Sequence, residues 1–219
     1  MIRKTGKPTR IFVIDEQPIY KYGLDELFRE SEDFVVCGYA NAIDQLDPLA
    51  EYPDIFALDI VVNKSNGIGS VEELIRQYPK ASILVVSSHD KRIFAERCLR
   101  AGAKGYVMKT SPIQEHLDAY KILFGGNLFL SPSMKRVLLS RMSGHEAKDS
   151  SSLFDRLSNR ELLIIQHIGE SMDNREIAKK MKISVKTIES HRSRIKSKLE
   201  LSSASGLIRI GTRLKYREL

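Results

Sequence analysis

The chain is poor in cysteine and lacks long apolar runs, and both features limit the class of protein it can be. Only Cys37 and Cys98 occur in 219 residues, too few for the disulfide framework of a small secreted domain, so we expect two buried, reduced thiols. No segment approaches the roughly 20 consecutive apolar residues of a transmembrane helix. The polar, basic residues 1–10 lack the apolar core of a signal peptide. These absences predict a cytoplasmic protein without a membrane partner.

Positive charge is concentrated in the C-terminal third of the chain. Residues 153–219 contain 15 Lys and Arg against 8 Asp and Glu, a net charge of +7, whereas residues 1–152 contain 20 of each. A chain of this length is expected to form two domains, each with its own core. The C-terminal one is therefore predicted to bind an anionic partner. The five histidines are scattered without the spacing of a metal site.

Residues 158–199 have the pattern of three short helices, of which the last is basic. Ser158 is followed three residues later by Glu161, the pair of a capping box at a helix start. A second helix fits 174–181, and after a tight turn Ser184 can cap a third. A short helix, a turn and a capped basic helix, in that order, are typical of a helix-turn-helix.

The third helix has two different faces. Ile188, Ile195 and Leu199 share an apolar face at helical spacing, and the opposite face carries small polar and basic groups. Such a helix can enter the major groove of double-stranded DNA. The alternative is a solvated surface helix, but the order of the elements favours DNA binding. The residues expected to contact DNA are Lys186, Thr187, Glu189, Ser190, Arg192, Ser193, Arg194 and Lys196.

The motifs LSNRE, NREIA, SVKTIESHRSRI and KL carry a family resemblance. They resemble the LuxR-type four-helix domain that ends NarL/FixJ response regulators, over nearly all of residues 155–215. The resemblance implies that base contacts come from Glu189, Ser190 and Ser193. It also implies that a fourth helix, predicted over 204–214, helps the protein to dimerise.

Five short apolar runs alternate with helical patterns in the first half of the chain. The runs are 11–14, 34–37, 55–58, 83–86 and 105–108, and the helical patterns are about 18–30, 42–51, 69–78, 90–101 and 112–124. Because the runs are almost continuously apolar, they predict an α/β fold, a doubly wound parallel sheet with helices on both faces. A further helix, 132–142, and a flexible linker, 143–152, are predicted before the all-α C-terminal domain.

Polar side chains follow four of the predicted strands, at the edge where α/β proteins bind ligands. They are Asp15, Glu16, Asp59, Ser87 and Lys109. A single Asp after a strand is usually a helix cap, but a set at four strand ends indicates a site. Carboxylates gathered at one edge repel one another unless a cation lies between them, and Mg²⁺ prefers such oxygen ligands. The metal, a hydroxyl and an ammonium can together stabilise a phosphoryl group moving to a carboxylate, for which Asp59, after the central strand, is the best acceptor.

The motifs VIDEQP, PDIFALDI, ILVVSSHD and GAKGYVMK resemble the receiver domain of two-component response regulators, over about residues 9–125. The resemblance implies a flavodoxin-like fold with five parallel strands and phosphorylation of Asp59. It implies that Glu16 binds Mg²⁺ directly, that Asp15 binds it mainly through water, and that the backbone carbonyl of Val61 completes the protein ligands.

The receiver resemblance assigns further roles, and the chain departs from both the receiver pattern and the LuxR-type pattern. Ser87 and Lys109 are expected to contact the phosphoryl oxygens, and Tyr106 is expected to turn inward when Ser87 moves. The loop 61–67 lacks the Met-Pro and Asp-Gly that receivers commonly have after the acceptor. Ser171 stands where the LuxR-type family usually has Gly at the end of the first helix, so a left-handed cap there would carry some strain.

We therefore predict a receiver domain (9–125), a linker helix and flexible linker (126–152) and a helix-turn-helix domain (153–219). The expected function is transcription regulation, with DNA binding controlled by a sensor histidine kinase that phosphorylates Asp59. A homodimer formed on phosphorylation and RNA polymerase are the further expected partners. The enzyme alternative, an aspartyl-phosphate phosphatase, needs a second Asp where Val61 stands, so we expect no enzyme. A closer alternative is a DNA-binding regulator whose receiver is not phosphorylated and responds to a protein partner.

Overall fold

The computed structural model describes residues 6–46, 52–60, 68–142, 154 and 156–216. The chain divides into two compact units, residues 1–146 and 147–219. Val61, the loop 61–67 and the predicted flexible linker 143–152 lie outside the described residues. Within the described ranges, every helix is too short or too polar to cross a bilayer.

The first unit contains a five-stranded sheet in which every pair of neighbours is parallel. Its strands are β1 (Thr9–Ile14), β2 (Phe34–Ala40), β3 (Ile55–Leu58), β4 (Ser82–Ser87) and β5 (Gly105–Met108), in the spatial order β2-β1-β3-β4-β5. All four residues of the central strand β3 are buried, because helices cover both faces of a parallel sheet. The predicted strands and their order along the chain are confirmed.

The helices of this unit match the predicted pattern with one exception. They are α1 (Pro18–Leu27), α2 (Gly69–Gln77), α3 (Lys91–Arg100), α4 (Ile113–Phe124) and α5 (Pro132–Met142). The helix predicted over 42–51 is wrong in its described part, where a 3-10 turn covers only Ile43–Gln45 and Leu46 is extended. The proline at position 48 opposes a helix here, because it has no N–H to donate to the carbonyl four residues before it.

The core of the first unit reaches beyond residue 125. Phe129 is buried in the main apolar cluster, and its N–H donates to the Lys104 carbonyl at 2.8 Å, beside the β5 edge strand. Cys98 is buried, which raises its thiol pKa to about 12, but Cys37 is only half-buried, contrary to expectation. The side chain of Cys37 is less covered because it belongs to β2, the other edge strand of the sheet.

The second unit contains four helices, two of which begin with capping boxes. They are α6 (Asn159–Gly169), α7 (Asn174–Lys180), α8 (Val185–Lys198) and α9 (Ala204–Tyr216). The predicted box at the start of α6 is present, and Ser184 caps α8 by accepting from Thr187 N at 3.0 Å. A second box, Asp173 with Glu176, was not predicted. Ser171 has the expected left-handed backbone, with φ of 65°.

Two glycines let α6 and α9 cross in backbone contact. A Cβ atom added to Gly169 would lie 2.2 Å from the carbonyl oxygen of Gly211, and one added to Gly211 would lie 2.6 Å from Gly169 N. Real Cβ atoms do not come so close to other heavy atoms. The absence of side chains at both positions is therefore a condition of this helix packing.

A buried carboxylate connects α6 to the last residue of α8. Glu161, only 2% exposed, accepts hydrogen bonds from Ser158 N at 2.7 Å and from Lys198 Nζ at 2.8 Å. Burial raises the pKa of Glu161, but the hydrogen bonds from Lys198 and Ser158 outweigh burial and hold the net pKa below its ordinary value. The ionised form of Glu161 is therefore the one that stabilises the fold.

We expect Glu161→Gln to destabilise the second unit at pH 7 by about 1–2 kcal/mol, because a charged hydrogen bond is lost. A lowered folded-state pKa contributes stability above the ordinary pKa of about 4.5 and loses it as the pH falls further. The difference from wild type should therefore disappear in acid. Urea unfolding followed by NMR signals of α6 and α8 measures it. Glu200→Gln is the control, since Glu200 pairs with Arg156 while 81% exposed; an equal effect of both changes would contradict the prediction.

Candidate functional site

Acidic and basic side chains meet at the carboxyl edge of the sheet. Asp15 follows β1, Asp59 follows β3 and Lys109 follows β5. The Lys109 ammonium lies 2.7 Å from Asp15 Oδ2 and 2.7 Å from Asp59 Oδ2, and it is largely shielded from solvent. Asp15 and Asp59 are 1% and 7% exposed, so both carboxylates are buried at this edge.

The sheet itself positions these three residues, because its hydrogen-bond ladder continues one residue past the strands. Asp15 N donates to the Ala40 carbonyl at 3.0 Å, and Asp59 N donates to the Ile14 carbonyl at 2.9 Å. Lys109 N likewise donates to the Ser87 carbonyl at 2.9 Å. The backbone of each site residue is therefore fixed by a neighbouring strand.

The electrostatics of the site leave an excess of negative charge. Burial, together with the charge of Asp59, raises the pKa of Asp15 against the opposing hydrogen bond from Lys109. Burial lowers the pKa of Lys109, but Asp59 and Asp15 outweigh it, so the net pKa is raised and the ammonium stays charged. One cation thus faces two carboxylates, which favours binding of a further cation.

The arrangement fits Mg²⁺ in part. Among the described residues, no three His, Cys, Asp or Glu side chains form a complete metal site. Asp15 and Asp59 supply two carboxylates, and one oxygen of each lies 2.7 Å from the Lys109 ammonium. Mg²⁺ commonly keeps several waters beside one or two carboxylates. Glu16 is exposed, so its placement does not add a buried ligand.

Ser87 and Tyr106 meet through the backbone of His89. Ser87 is fully buried, and its Oγ accepts from His89 N at 3.2 Å. Tyr106 is also fully buried and turned inward, and its hydroxyl donates to the His89 carbonyl at 2.8 Å. Burial raises the pKa of Tyr106 well above its ordinary value, so the hydroxyl remains a donor. The segment between β4 and α3, which contains His89, therefore contacts both Ser87 and Tyr106.

Two residues of the site were not predicted from the sequence. Gln17 Oε1 accepts from Lys109 Nζ at 3.3 Å, and Gln17 N donates to Asp15 Oδ1 at 2.8 Å. The hydroxyl of Tyr39 donates to the Asp15 carbonyl at 2.6 Å. Gln17 could have been found from its place next to the acidic pair. Tyr39 could not, because its role depends on β2 lying beside β1.

In the second unit, α8 buries its apolar face and exposes the face predicted to contact DNA. Ile188 and Ile195 are fully buried and Leu199 is nearly so. The exposed residues of the predicted set are Lys186, Thr187, Glu189, Ser190, Ser193 and Arg194, and the half-buried ones are Arg192 and Lys196. The structure therefore places all eight on α8, six of them exposed.

Hydrogen bonds within α8 already engage two of these hydroxyls. Ser190 Oγ donates to the Lys186 carbonyl at 3.0 Å, and Thr187 Oγ1 lies 2.7 Å from Ser184 Oγ at the cap. Lys179 and Lys182, which precede α8, are also exposed and add positive charge to this unit. Reasoning from the third helix alone missed these two lysines, since they belong to α7 and the following turn.

We expect Glu189→Ala and Lys186→Ala to affect DNA binding differently. A carboxylate can accept a hydrogen bond from a cytosine amino group, so Glu189→Ala should relax preference at one base pair per half-site by roughly 1–3 kcal/mol. Lys186→Ala should weaken all sequences about equally and reduce the salt slope by about 1. Binding to a randomised DNA library at several salt concentrations measures both, and identical sequence profiles would refute the assignment.

Comparison with protein families identifies both units. Residues 11–121 match the model of the response regulator receiver domain, and residues 155–210 match that of the bacterial regulatory proteins of the luxR family. The chain belongs to the two-component response regulators that join a receiver domain to a LuxR-type DNA-binding domain. This confirms the family and the fold class predicted from the sequence.

The chain resembles regulators of this kind along nearly its whole length. It is 33% identical over 207 residues to the transcription regulator of virulence factors BvgA of Bordetella pertussis, covering 93% of this chain and 97% of BvgA. It is 27% identical over 212 residues to the oxygen regulatory protein NreC of Staphylococcus carnosus, covering 94% and 98%. The solved RcsB response regulator of Salmonella typhimurium has a TM-score of 0.66 at 22% identity, covering 95% and 98%, a likeness of fold alone.

Proposed function

We propose that phosphorylation of Asp59 by a sensor histidine kinase controls binding of this response regulator to double-stranded DNA. The observation that carries the proposal is the meeting of Asp15, Asp59 and Lys109, with the ammonium 2.7 Å from each carboxylate. These are the groups that phosphoryl transfer to a carboxylate requires. The presence of these groups also argues against the alternative, a receiver that is not phosphorylated and responds only to a protein partner.

In this proposal the Asp59 carboxylate is the nucleophile. One of its oxygens forms a bond to phosphorus while the bond from phosphorus to the donor nitrogen of a kinase phosphohistidine breaks. The Lys109 ammonium, held beside Asp59, would neutralise negative charge on the phosphoryl oxygens during the transfer. Mg²⁺, when bound, would offset further negative charge and would be held by Asp15, Glu16, Asp59 and the Val61 carbonyl.

Ser87 and Tyr106 are proposed to transmit the structural change that phosphorylation of Asp59 causes. A phosphoryl oxygen at Asp59 is a stronger acceptor than the groups of the unmodified site, so it attracts the Ser87 hydroxyl. The Ser87 side chain contacts the backbone of His89, which also holds the Tyr106 hydroxyl. Movement of Ser87 therefore shifts the start of α3 and the outer surface near it.

The second unit is proposed to insert α8 into the major groove. Its exposed Lys, Arg, Ser and Glu side chains and the net charge of +7 over 153–219 support this. We further propose a homodimer that forms on phosphorylation, contact with RNA polymerase at promoters, and no catalytic turnover beyond the phosphorylation of its own Asp59. Because DNA is the partner, the cytoplasm is where we expect the protein to act.

Comparison of the full-length protein with a fragment tests the control. If the receiver restrains the DNA-binding unit, residues 150–219 alone should bind a selected duplex without phosphate, whereas the full-length chain should bind it appreciably only when phosphorylated. Gel-shift titrations at one fixed salt concentration measure the affinities. Equal affinities for the fragment and for both full-length forms would exclude restraint by the receiver.

A further inference from the structure

Three polar side chains meet at the margin of the apolar core of the first unit, where two of them are buried and Tyr20 is half-buried. Tyr20 of α1 and His116 and Tyr120 of α4 form this group, which we call the tyrosine–histidine cluster. The hydroxyl of Tyr20 lies 3.4 Å from His116 Nδ1 and 3.4 Å from the hydroxyl of Tyr120. Tyr120 is fully buried and His116 is 7% exposed. Apolar side chains would fill this space without desolvating polar groups, so the cluster calls for a role beyond packing.

The cluster is tied to the strand that carries Lys109. His116 hydrogen-bonds the backbone of Met108, the residue directly before Lys109, and burial lowers the pKa of His116. A neutral imidazole offers one donor and one acceptor, so His116 can bond Met108 and Tyr20 at the same time. The hydroxyl of Tyr20 is thus anchored to the end of β5 and to Tyr120.

The ring of Tyr20 faces the site itself. Its centroid lies 5.9 Å from Lys109 Nζ, within the range of a cation–π contact. Burial raises the pKa of Tyr20, and the charges of Asp15 and Asp59 raise it further, so the phenol stays neutral. A neutral aromatic face is therefore presented to the ammonium that also pairs with Asp15 and Asp59.

We infer that Tyr20 is a positioning residue for Lys109, and that His116 and Tyr120 fix the Tyr20 ring in place. The ring limits where the ammonium can move, so it keeps Lys109 beside Asp59 as phosphate arrives. This inference rests on the proposed phosphorylation of Asp59. It assigns the tyrosine–histidine cluster an influence on the rate of that reaction.

Phosphorylation kinetics of the full-length protein test the inference. With Mg²⁺ and acetyl phosphate, intact mass gives the rate constant at saturation and the half-saturating concentration. Tyr20→Leu should lower the rate constant roughly threefold to fivefold, the size of one cation–π contact, with less effect on half-saturation. Tyr20→Phe keeps the ring and should stay within about twofold of wild type. Tyr22→Leu, on the same helix and 63% exposed, should leave both quantities unchanged.

A double-mutant cycle tests the anchoring by His116. His116→Leu should slow phosphorylation about twofold, and Tyr20→Phe added to it should have almost no further effect, because the same hydroxyl contact is already lost. Independent, multiplying effects would overturn the anchoring. If Tyr20→Leu does not fold, as its melting temperature would show, the cycle of His116→Leu and Tyr20→Phe tests the inference by itself.

The outcomes separate this inference from the proposed function. If wild type takes one phosphate at Asp59 and folded Tyr20→Leu takes it equally fast, the positioning role is overturned and the proposed function stands. If wild type takes no phosphate at Asp59, the proposed function fails and the inference fails with it. Slower labelling of Tyr20→Leu with recovery in Tyr20→Phe supports both.

Discussion

Asp59→Asn is expected to abolish phosphate incorporation. The amide has nearly the shape of the carboxylate but lacks the negative oxygen that attacks phosphorus. Incubation with Mg²⁺ and acetyl phosphate should add one phosphate to wild type, detected by intact mass, and none to the variant. Asp15 and Asp59 both lie beside Lys109, but only Asp59 follows the central strand β3, so a single labelled residue is expected.

Asp54→Asn is the matched control for this experiment. Asp54 lies directly before β3, and Asp59 lies directly after it. The Asp54 Oδ2 atom accepts a hydrogen bond from Arg10 N at 2.9 Å. The two aspartates therefore lie at opposite ends of one strand, and loss of Asp54 should leave labelling intact. Phosphate on Asp54, or undiminished labelling of Asp59→Asn, would overturn the assignment of the acceptor.

Gly169→Ala is expected to destabilise the second unit severely. The new Cβ would lie 2.2 Å from the Gly211 carbonyl oxygen and 2.4 Å from its carbon. Both atoms are backbone, so only separation of α6 from α9 can relieve the overlap. Overpacking of this kind costs about 3 kcal/mol, and for so small a domain the melting temperature should fall by more than about 10 °C.

Gly206→Ala provides a control on α9. Its Cβ would contact only the Leu201 side chain, at 3.3–3.6 Å. Alanine also favours helix over glycine by up to about 1 kcal/mol, so the stability should change little or rise. Calorimetry of the full-length proteins measures both variants. A normal melting temperature for Gly169→Ala would show that the helices cross with more room than described.

Local signals in the sequence were sufficient for much of the fold. The Ser158 capping box and the Ser184 cap could be predicted, because the partners lie three residues apart. The same rule applied to Asp173 and Glu176 would have found the second box. The helix predicted over 42–51 is wrong over 42–46, its described part, and the proline at position 48 is the signal in the sequence that opposes it.

Contacts between distant residues could not be predicted in the same way. The crossing of Gly169 and Gly211 depends on how α6 and α9 pack, which glycine spacing does not reveal. The hydrogen bond from Tyr39 to the Asp15 carbonyl requires the strand order. Tyr20 carries no local signal in the sequence, because only the fold brings its ring near Lys109.

In the candidate site, too, some features could be predicted from the sequence and others could not. Asp15, Asp59 and Lys109 could be grouped from the sequence because strand ends of a parallel sheet share one edge. Their shared ion pairs, the inward Tyr106 and the link through His89 depend on the folded structure and carry no local signal in the sequence. The roles of Glu16 and Val61 in metal binding remain proposals that follow from family resemblance.

The affinity of the full-length protein for DNA, with and without phosphorylation, tests the central claim most directly. A duplex selected from a randomised library would be titrated at one salt concentration, with Mg²⁺ and with or without acetyl phosphate. We predict that phosphorylation tightens binding by wild type at least about tenfold, within the usual range of coupling between two sites, and leaves Asp59→Asn unchanged. Equal affinity of wild type under both conditions, or the same gain in Asp59→Asn, would contradict control of DNA binding through Asp59.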